Sequence, residues 1–163
     1  MKNIKGGKII SGGQTGVDRA ALDFALELGL ECGGWCPRGR RAEDGPIPER
    51  YPLQETASAS YFQRTRENVQ TAQATLILAR SVLSGGTALT KKVAMAQRKP
   101  FYVVDLNGPP EQIVAVRAWL RIYWQHILNV AGPRESENRG IYLQALNFLR
   151  QTLAETPIRE EPS

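Results

Sequence analysis

The stretch Ile9–Gly29, "IISGGQTGVDRAALDFALELG", runs from a β-branched strand through a glycine turn into a helix, and this order decides the fold. Val17, Ala20, Ala21, Phe24, Ala25 and Leu28 recur at helical spacing, and Gly29 supplies the stop. The turn resembles a phosphate cradle but carries neither standard fingerprint. A Walker loop needs GxxxxGK[ST], and here both the spacing and the lysine are missing. The dinucleotide fingerprint needs GxGxxG and an acid ending the second strand. Gly12, Gly13 and Gly16 are spaced otherwise and no such acid is present, which disfavours hydride chemistry on NAD.

The same alternation continues along the chain. "LECGGWCP" reads as a weak second strand, and Pro37 to about Ser60 as a long irregular segment that is either functional or mobile. "YFQRTRENVQTA" is a helix, and "ATLILAR" a continuous apolar strand of the kind buried on both faces. "SGGTALTKKVAMAQRK" repeats the glycine–threonine–helix pattern, with Leu89, Val93 and Ala96 as its inward stripe. "PFYVVDL" is a further buried strand. "PEQIVAVRAWLRIYW", behind Pro109 and Pro110, is a helix. "HILNVAG" is the last strand and "GIYLQALNFLRQTLAE" the closing helix. Strand–helix alternation of this kind specifies an α/β, Rossmann-like, doubly wound parallel sheet with helices on both faces. Its ligands bind beyond the carboxyl ends of the strands, where strand order reverses. Both glycine turns follow strands and so share that rim.

The 163 residues, 42% apolar, suit a single ligand-binding domain over 1–155 with a disordered tail at 156–163. The sequence holds no apolar run long enough for a membrane span, and "MKNIKGGKII" does not read as a secretory signal, so a cytoplasmic location is expected. Cys32 and Cys36 with one histidine cannot complete a four-ligand zinc site, and no disulfide is expected in a reducing compartment. No metal site is assigned. The net charge of +5 favours an anionic partner. A Lys/Arg block with interleaved aromatics is missing, so nucleic acid is not the favoured one. "CPRGRRAEDGPIPER" is a basic loop, either solvated or placed over a small anion.

Gly12, Gly13, Gln14, Thr15, Gly16 and Asp18 form the first candidate loop. Glycine permits close approach and positive φ, and the helix start offers free N–H groups. Thr15 and Asp18 have capping-box spacing. A carboxylate there opposes a phosphate, so Asp18 either caps its own helix or meets a hydroxyl, an amine or a metal-bound water. Ser84, Gly85, Gly86 and Thr87 form the second loop. With no acid in the first turn and Lys91 and Lys92 soon after, this is the better anion site, although Thr87 also reads as a simple N-cap. Arg64 and Arg66 cannot share a helical face, so one at most enters a pocket. Arg134 and Glu135 follow the last strand, as an oxyanion clamp or a loop-fixing ion pair. His126 reads as a core or edge residue, and Trp119, Tyr123 and Trp124 as core or subunit contact. No Ser-His-Asp or Cys-His arrangement emerges.

Five blocks in order, "SGGQTGVDRAALDFAL", "GWCPRGRRAEDGPIPERYPL", "RTRENVQTAQATLILA", "SGGTALT" and "VAGPRES", resemble the molybdenum-carrier protein family across residues 8–150. That family lies within a Rossmann-like group of lysine-decarboxylase-like proteins, cytokinin-activating nucleotide hydrolases and DNA-processing proteins. The resemblance implies a homo-oligomer with a nucleotide or cofactor phosphate at the glycine turns, flanked by Arg64, Asn68, Arg134 and Glu135. The related hydrolases carry PGGxGTxxE, whose glutamate helps cleave the N-glycosidic bond. Thr90 stands in its place, which favours binding without cleavage. The expected role is therefore carriage of molybdenum cofactor, molybdate or a related phosphorylated ligand, with no required cofactor. The alternatives are a nucleoside-monophosphate phosphoribohydrolase using Asp18 or Glu135, and a nucleotide-sensing or nucleic-acid-binding module.

Overall fold

A computed structural model describes residues 7–154. The expected tail at 156–163 lies outside them. Five parallel strands form the central sheet: β1 (Lys8–Ile10), β2 (Cys32–Gly33), β7 (Ala74–Ala79), β8 (Phe101–Asp105) and β9 (Ile127–Ala131), in the order β2-β1-β9-β7-β8. The chain winds outward from β1 to β2, crosses to β7 and β8, and returns to place its last strand between β1 and β7. The strand expected in "LECGGWCP" is split. Its first half is β2. Its second half, β3 (Trp35–Cys36), pairs instead with β6 (Gln54–Glu55).

Helix α1 (Val17–Leu28) ends where Gly29 turns left-handed at φ 67°. It packs with α5 (Ile141–Leu149) on one face of the sheet, and α2 (Tyr61–Thr71) and α3 (Gly85–Ala96) pack together on the other. Helix α4 (Gln112–Tyr123) covers β8. Alternation within the strands follows these layers. Ile9, Leu76, Leu78, Leu128 and Val130 join Val17, Phe24, Val116 and Leu149 in the main core. The smaller cluster under α2 and α3 consists of Val69, Val93 and Ala94 with Leu89 and Phe101 against it. Burying both faces makes β7 apolar apart from Thr75, and all six of its residues are buried.

Two expectations are corrected. "PFYVVDL" is an edge strand in which Val104 alone is fully buried, because among the described residues no strand pairs beyond β8. Ala96 is exposed, since the buried stripe of α3 runs through Thr87, Thr90, Val93 and Ala94. Helix α5 widens into a π-turn over Arg150–Ala154. His126 is exposed just before β9, Trp124 is buried, and Trp119 lies between the rings of Tyr102 and Tyr123.

The irregular segment is tied down. It holds a hairpin of β4 (Arg41–Ala42) and β5 (Gly45–Pro46), and inserts Ile47, Tyr51 and Leu53 into the core. Arg40 donates to the carbonyls of Ile47, Pro48, Leu53 and Tyr51. Tyr51 and Tyr142 both donate to the carboxylate of Asp23 on α1, at 2.6 and 2.5 Å.

Candidate functional site

At the end of β1 the chain turns sharply into α1. Gly16 is the N-cap, at φ 79° and ψ −127°, a conformation open only to glycine. The N–H of Val17 donates to Pro133 O at 3.2 Å, so the segment after β9 caps this helix. The expected Thr15–Asp18 capping box does not form, because the cap position falls on Gly16. Thr15 turns outward, its hydroxyl accepting from Glu135 N at 3.1 Å and donating to Glu43. Asp18 instead reaches back, its Oδ2 accepting from Gln14 N at 3.2 Å. The carboxyl is buried and lines a cleft. Burial, only partly offset by Arg64 and by the Gln14 N–H, pushes its pKa up to about 6.

Helix α2 supplies Arg64, whose Nη1 donates to Gly12 O at 3.0 Å and lies 3.5 Å from Asp18 Oδ2. Gly12 is required at this approach, since a Cβ would collide with the guanidinium. Arg66 points elsewhere and stacks on Phe62, so one arginine of the pair enters the cleft. Asn68 lines the cleft, yet its amide is engaged with Trp35, donating to Trp35 O at 2.9 Å and accepting from Trp35 N at 2.8 Å. It tethers β3 to α2.

Helix α3 begins one residue into the second glycine loop. Ser84 is the N-cap but makes no side-chain cap bond, which corrects the N-cap reading of Thr87. The first-turn amides of Gly85 and Gly86 thus lack both an intrahelical and a side-chain acceptor. Gly86 faces open space. Thr87 and Thr90 lie below it in the cleft wall, with the Thr90 hydroxyl donating to Gly86 O at 2.9 Å. Thr90, which the sequence resemblance sets in the place of a hydrolase glutamate, therefore lines the cleft with a hydroxyl.

The segment after β9 closes the site. Arg134 lines the cleft, its Nε 3.6 Å from Glu137 Oε1 and its guanidinium 5.6 Å from the Tyr61 ring. Arg64 approaches the same ring at 5.1 Å, so Tyr61 faces both guanidinium groups. Glu135 is a correction. Its carboxylate accepts from Gly140 N at 2.6 Å and Tyr142 N at 2.9 Å, capping α5 and turning away from the cleft.

The two glycine loops converge, with Gly12, Gln14 and Asp18 of the first and Gly86 and Thr87 of the second lining one cleft. Gly13, Thr15, Gly16, Ser84 and Gly85 are not in its wall. Gly13 faces Leu53 and Ile47 instead. Thr65, Asn129, Ala131, Gly132, Pro133 and Glu137 also line the cleft and were missed in the sequence. Asn129 is the one polar residue of the apolar strand β9, a signal that was available, and it donates to Thr75 Oγ1 at 3.3 Å. Glu137 lies three residues beyond Arg134 and gave no separate signal. Gln14 accepts from Thr15 N and Glu43 N through Oε1, while its buried Nε2 has no partner. Among the described residues no cluster of His, Cys, Asp and Glu suits a metal ion, and no helix is long and apolar enough to cross a membrane. Cys32 and Cys36 are buried free thiols whose pKa values burial pushes up.

Residues 9–153 match the model of the circularly permutated YpsA SLOG family. The chain belongs to that family. Its last strand lies at the sheet centre beside its first. The chain is also similar to a "Putative molybdenum carrier protein" from Syntrophus aciditrophicus SB, whose crystal structure it matches at 41% identity and a TM-score of 0.88. The match covers 91% of this chain and 95% of that one. No curated protein matches the chain. The resemblance to molybdenum carriers and the Rossmann-like fold are thus both found.

Proposed function

We propose that this SLOG-family chain binds and carries a small phosphorylated or oxyanionic ligand, with molybdenum cofactor and molybdate as the first candidates. One observation carries the reading. The uncapped, acid-free start of α3 opens at Gly86 into the same cleft as the guanidinium groups of Arg64 and Arg134. Free amides, the helix dipole and two guanidinium groups favour a tetrahedral anion without Cys or His ligands. The matched protein's description as a molybdenum carrier supports the same reading. Calorimetric titration of the protein with molybdate, molybdenum cofactor and nucleoside phosphates tests it. Micromolar binding of at least one supports the proposal, and no binding by any rejects it.

A second reading rests on Asp18, a buried carboxyl in the cleft with its pKa raised to about 6. Such a group suits general acid or base catalysis in a phosphoribohydrolase. Release of free base from a nucleoside monophosphate, lost in Asp18→Asn, supports it. Glu135, committed to capping α5, is not part of this reading. Homo-oligomerisation belongs to the proposal as well, with Val114 and Ile122 of α4 exposed for contact, and sedimentation velocity tests it.

A further inference from the structure

The cleft is not uniformly cationic. Asp18 stands in its wall among the anion-binding groups, 6% exposed, with Arg64 of α2 at 3.5 Å from Oδ2. Arg19 of α1 acts on it from its own helix. Arg134 and Glu137, from the segment after β9, line the same cleft and lie 3.6 Å from each other. A fully deprotonated oxyanion bound here meets acceptor against acceptor at Asp18. A ligand that presents a hydrogen to that carboxylate turns the contact into a charge-assisted hydrogen bond.

We infer that Asp18 is a specificity-determining residue, selecting anions that carry a hydrogen-bond donor at or beside the charged group over a bare tetrahedral dianion such as molybdate. The inference rests on the anion-cleft reading and narrows it toward ligands with a protonated oxyanion or a neighbouring hydroxyl. Arg64 offsets the Asp18 charge only in part, with its Nη1 shared between Gly12 O and Asp18. The Asp18 carboxylate already accepts from Gln14 N and Arg64 Nη1, so a ligand without a hydrogen to offer adds only a second negative charge against it. Acidification weakens the filter. A protonated Asp18 becomes a donor itself, so molybdate binding strengthens as the pH falls toward 6.

Calorimetric titration of the full chain with orthophosphate and with molybdate at pH 7.5 and pH 6 tests this, in wild type and in Asp18→Asn. Orthophosphate keeps a proton at both pH values, and molybdate has none near neutrality. In wild type at pH 7.5, orthophosphate is expected to bind at least about tenfold more tightly than molybdate. The ratio is expected to fall at pH 6 and to approach unity in Asp18→Asn. Titrations with ribose 5-phosphate and methyl phosphate separate a ligand hydroxyl from a protonated oxyanion as the hydrogen source. Equal wild-type affinities for orthophosphate and molybdate at pH 7.5 overturn the inference even if the variant does not fold, and so does an unchanged ratio in a folded variant. If neither anion binds wild type, the anion-cleft reading fails and this inference fails with it.

Discussion

The guanidinium of Arg64 lies 3.5 Å from the carboxylate of Asp18 and 3.0 Å from the carbonyl of Gly12, bridging α2 to the loop that opens α1. Both side chains are about nine-tenths removed from solvent. Removing one partner of such a pair strands the other charge in a poorly hydrated site. Arg64→Ala is therefore expected to lower unfolding free energy by about 3 kcal/mol, read by urea denaturation at pH 7. Arg64→Lys keeps the charge but loses the guanidinium fork, and is expected to recover only part of the loss.

The stability of the fold depends on pH through Asp18. Its folded pKa, about 6, lies above the ordinary 3.8, so between these values the native state binds more protons than the unfolded chain. The contribution of Asp18 is fully present below about pH 4 and is lost as pH rises through 6, a change of about 3 kcal/mol. Glu27 and Asp44, held low by Arg150 and Arg19, act in the opposite sense. The informative quantity is thus the difference between wild type and Asp18→Asn. That variant is expected to gain stability relative to wild type as pH rises from 4 to 7, read by urea denaturation across this range.

Gly86 separates binding from folding. Beyond its chain neighbours and its own helix backbone, no atom lies within 4 Å of where its Cβ would stand, and its backbone is helical. Gly86→Ala is expected to leave stability unchanged or raise it by about 0.5 kcal/mol. The added methyl group projects into the cleft and is expected to weaken orthophosphate binding. Thermal denaturation and calorimetry read the two effects.

Tyr61 positions charge without touching the proposed anion site through a charged group of its own. Arg41, Arg64 and Arg134 lie 4.7, 5.1 and 5.6 Å from its ring. Tyr61→Phe keeps the aromatic face and is expected to bind orthophosphate like wild type. Tyr61→Ala releases the guanidinium groups, and about a fivefold loss of affinity is expected.

Much of the architecture was readable before any coordinates, because apolar periodicity reports burial directly. Strand β7 and helix α1 show this, and Gly29 stops α1 as expected. Strand β8 was misjudged since "FYVVD" is as apolar as a central strand, and only sheet order reveals an edge. The convergence of the two glycine loops was legible from two glycine turns following parallel strands, but not that Gly13 turns away and that the amides of Gln14 and Val17 are taken by Asp18 and Pro133. The roles of Thr15, Asn68 and Glu135 were not. Each bonds to a segment distant in sequence or caps a helix whose start the pattern does not fix: Thr15 with Glu43, Asn68 with Trp35, and Glu135 with α5. Local spacing carries no record of such partners.

The central claim is that the amides at the start of α3 hold a negative charge together with Arg64 and Arg134. Titrating orthophosphate into ¹⁵N-labelled protein and following the backbone amide resonances tests this most directly. The largest, saturable shift is expected at Gly86, with smaller ones at its neighbours Gly85 and Thr87 and at Gly12 and Arg134. Shifts confined to surface lysines, or no saturable change at the α3 amides, would contradict it.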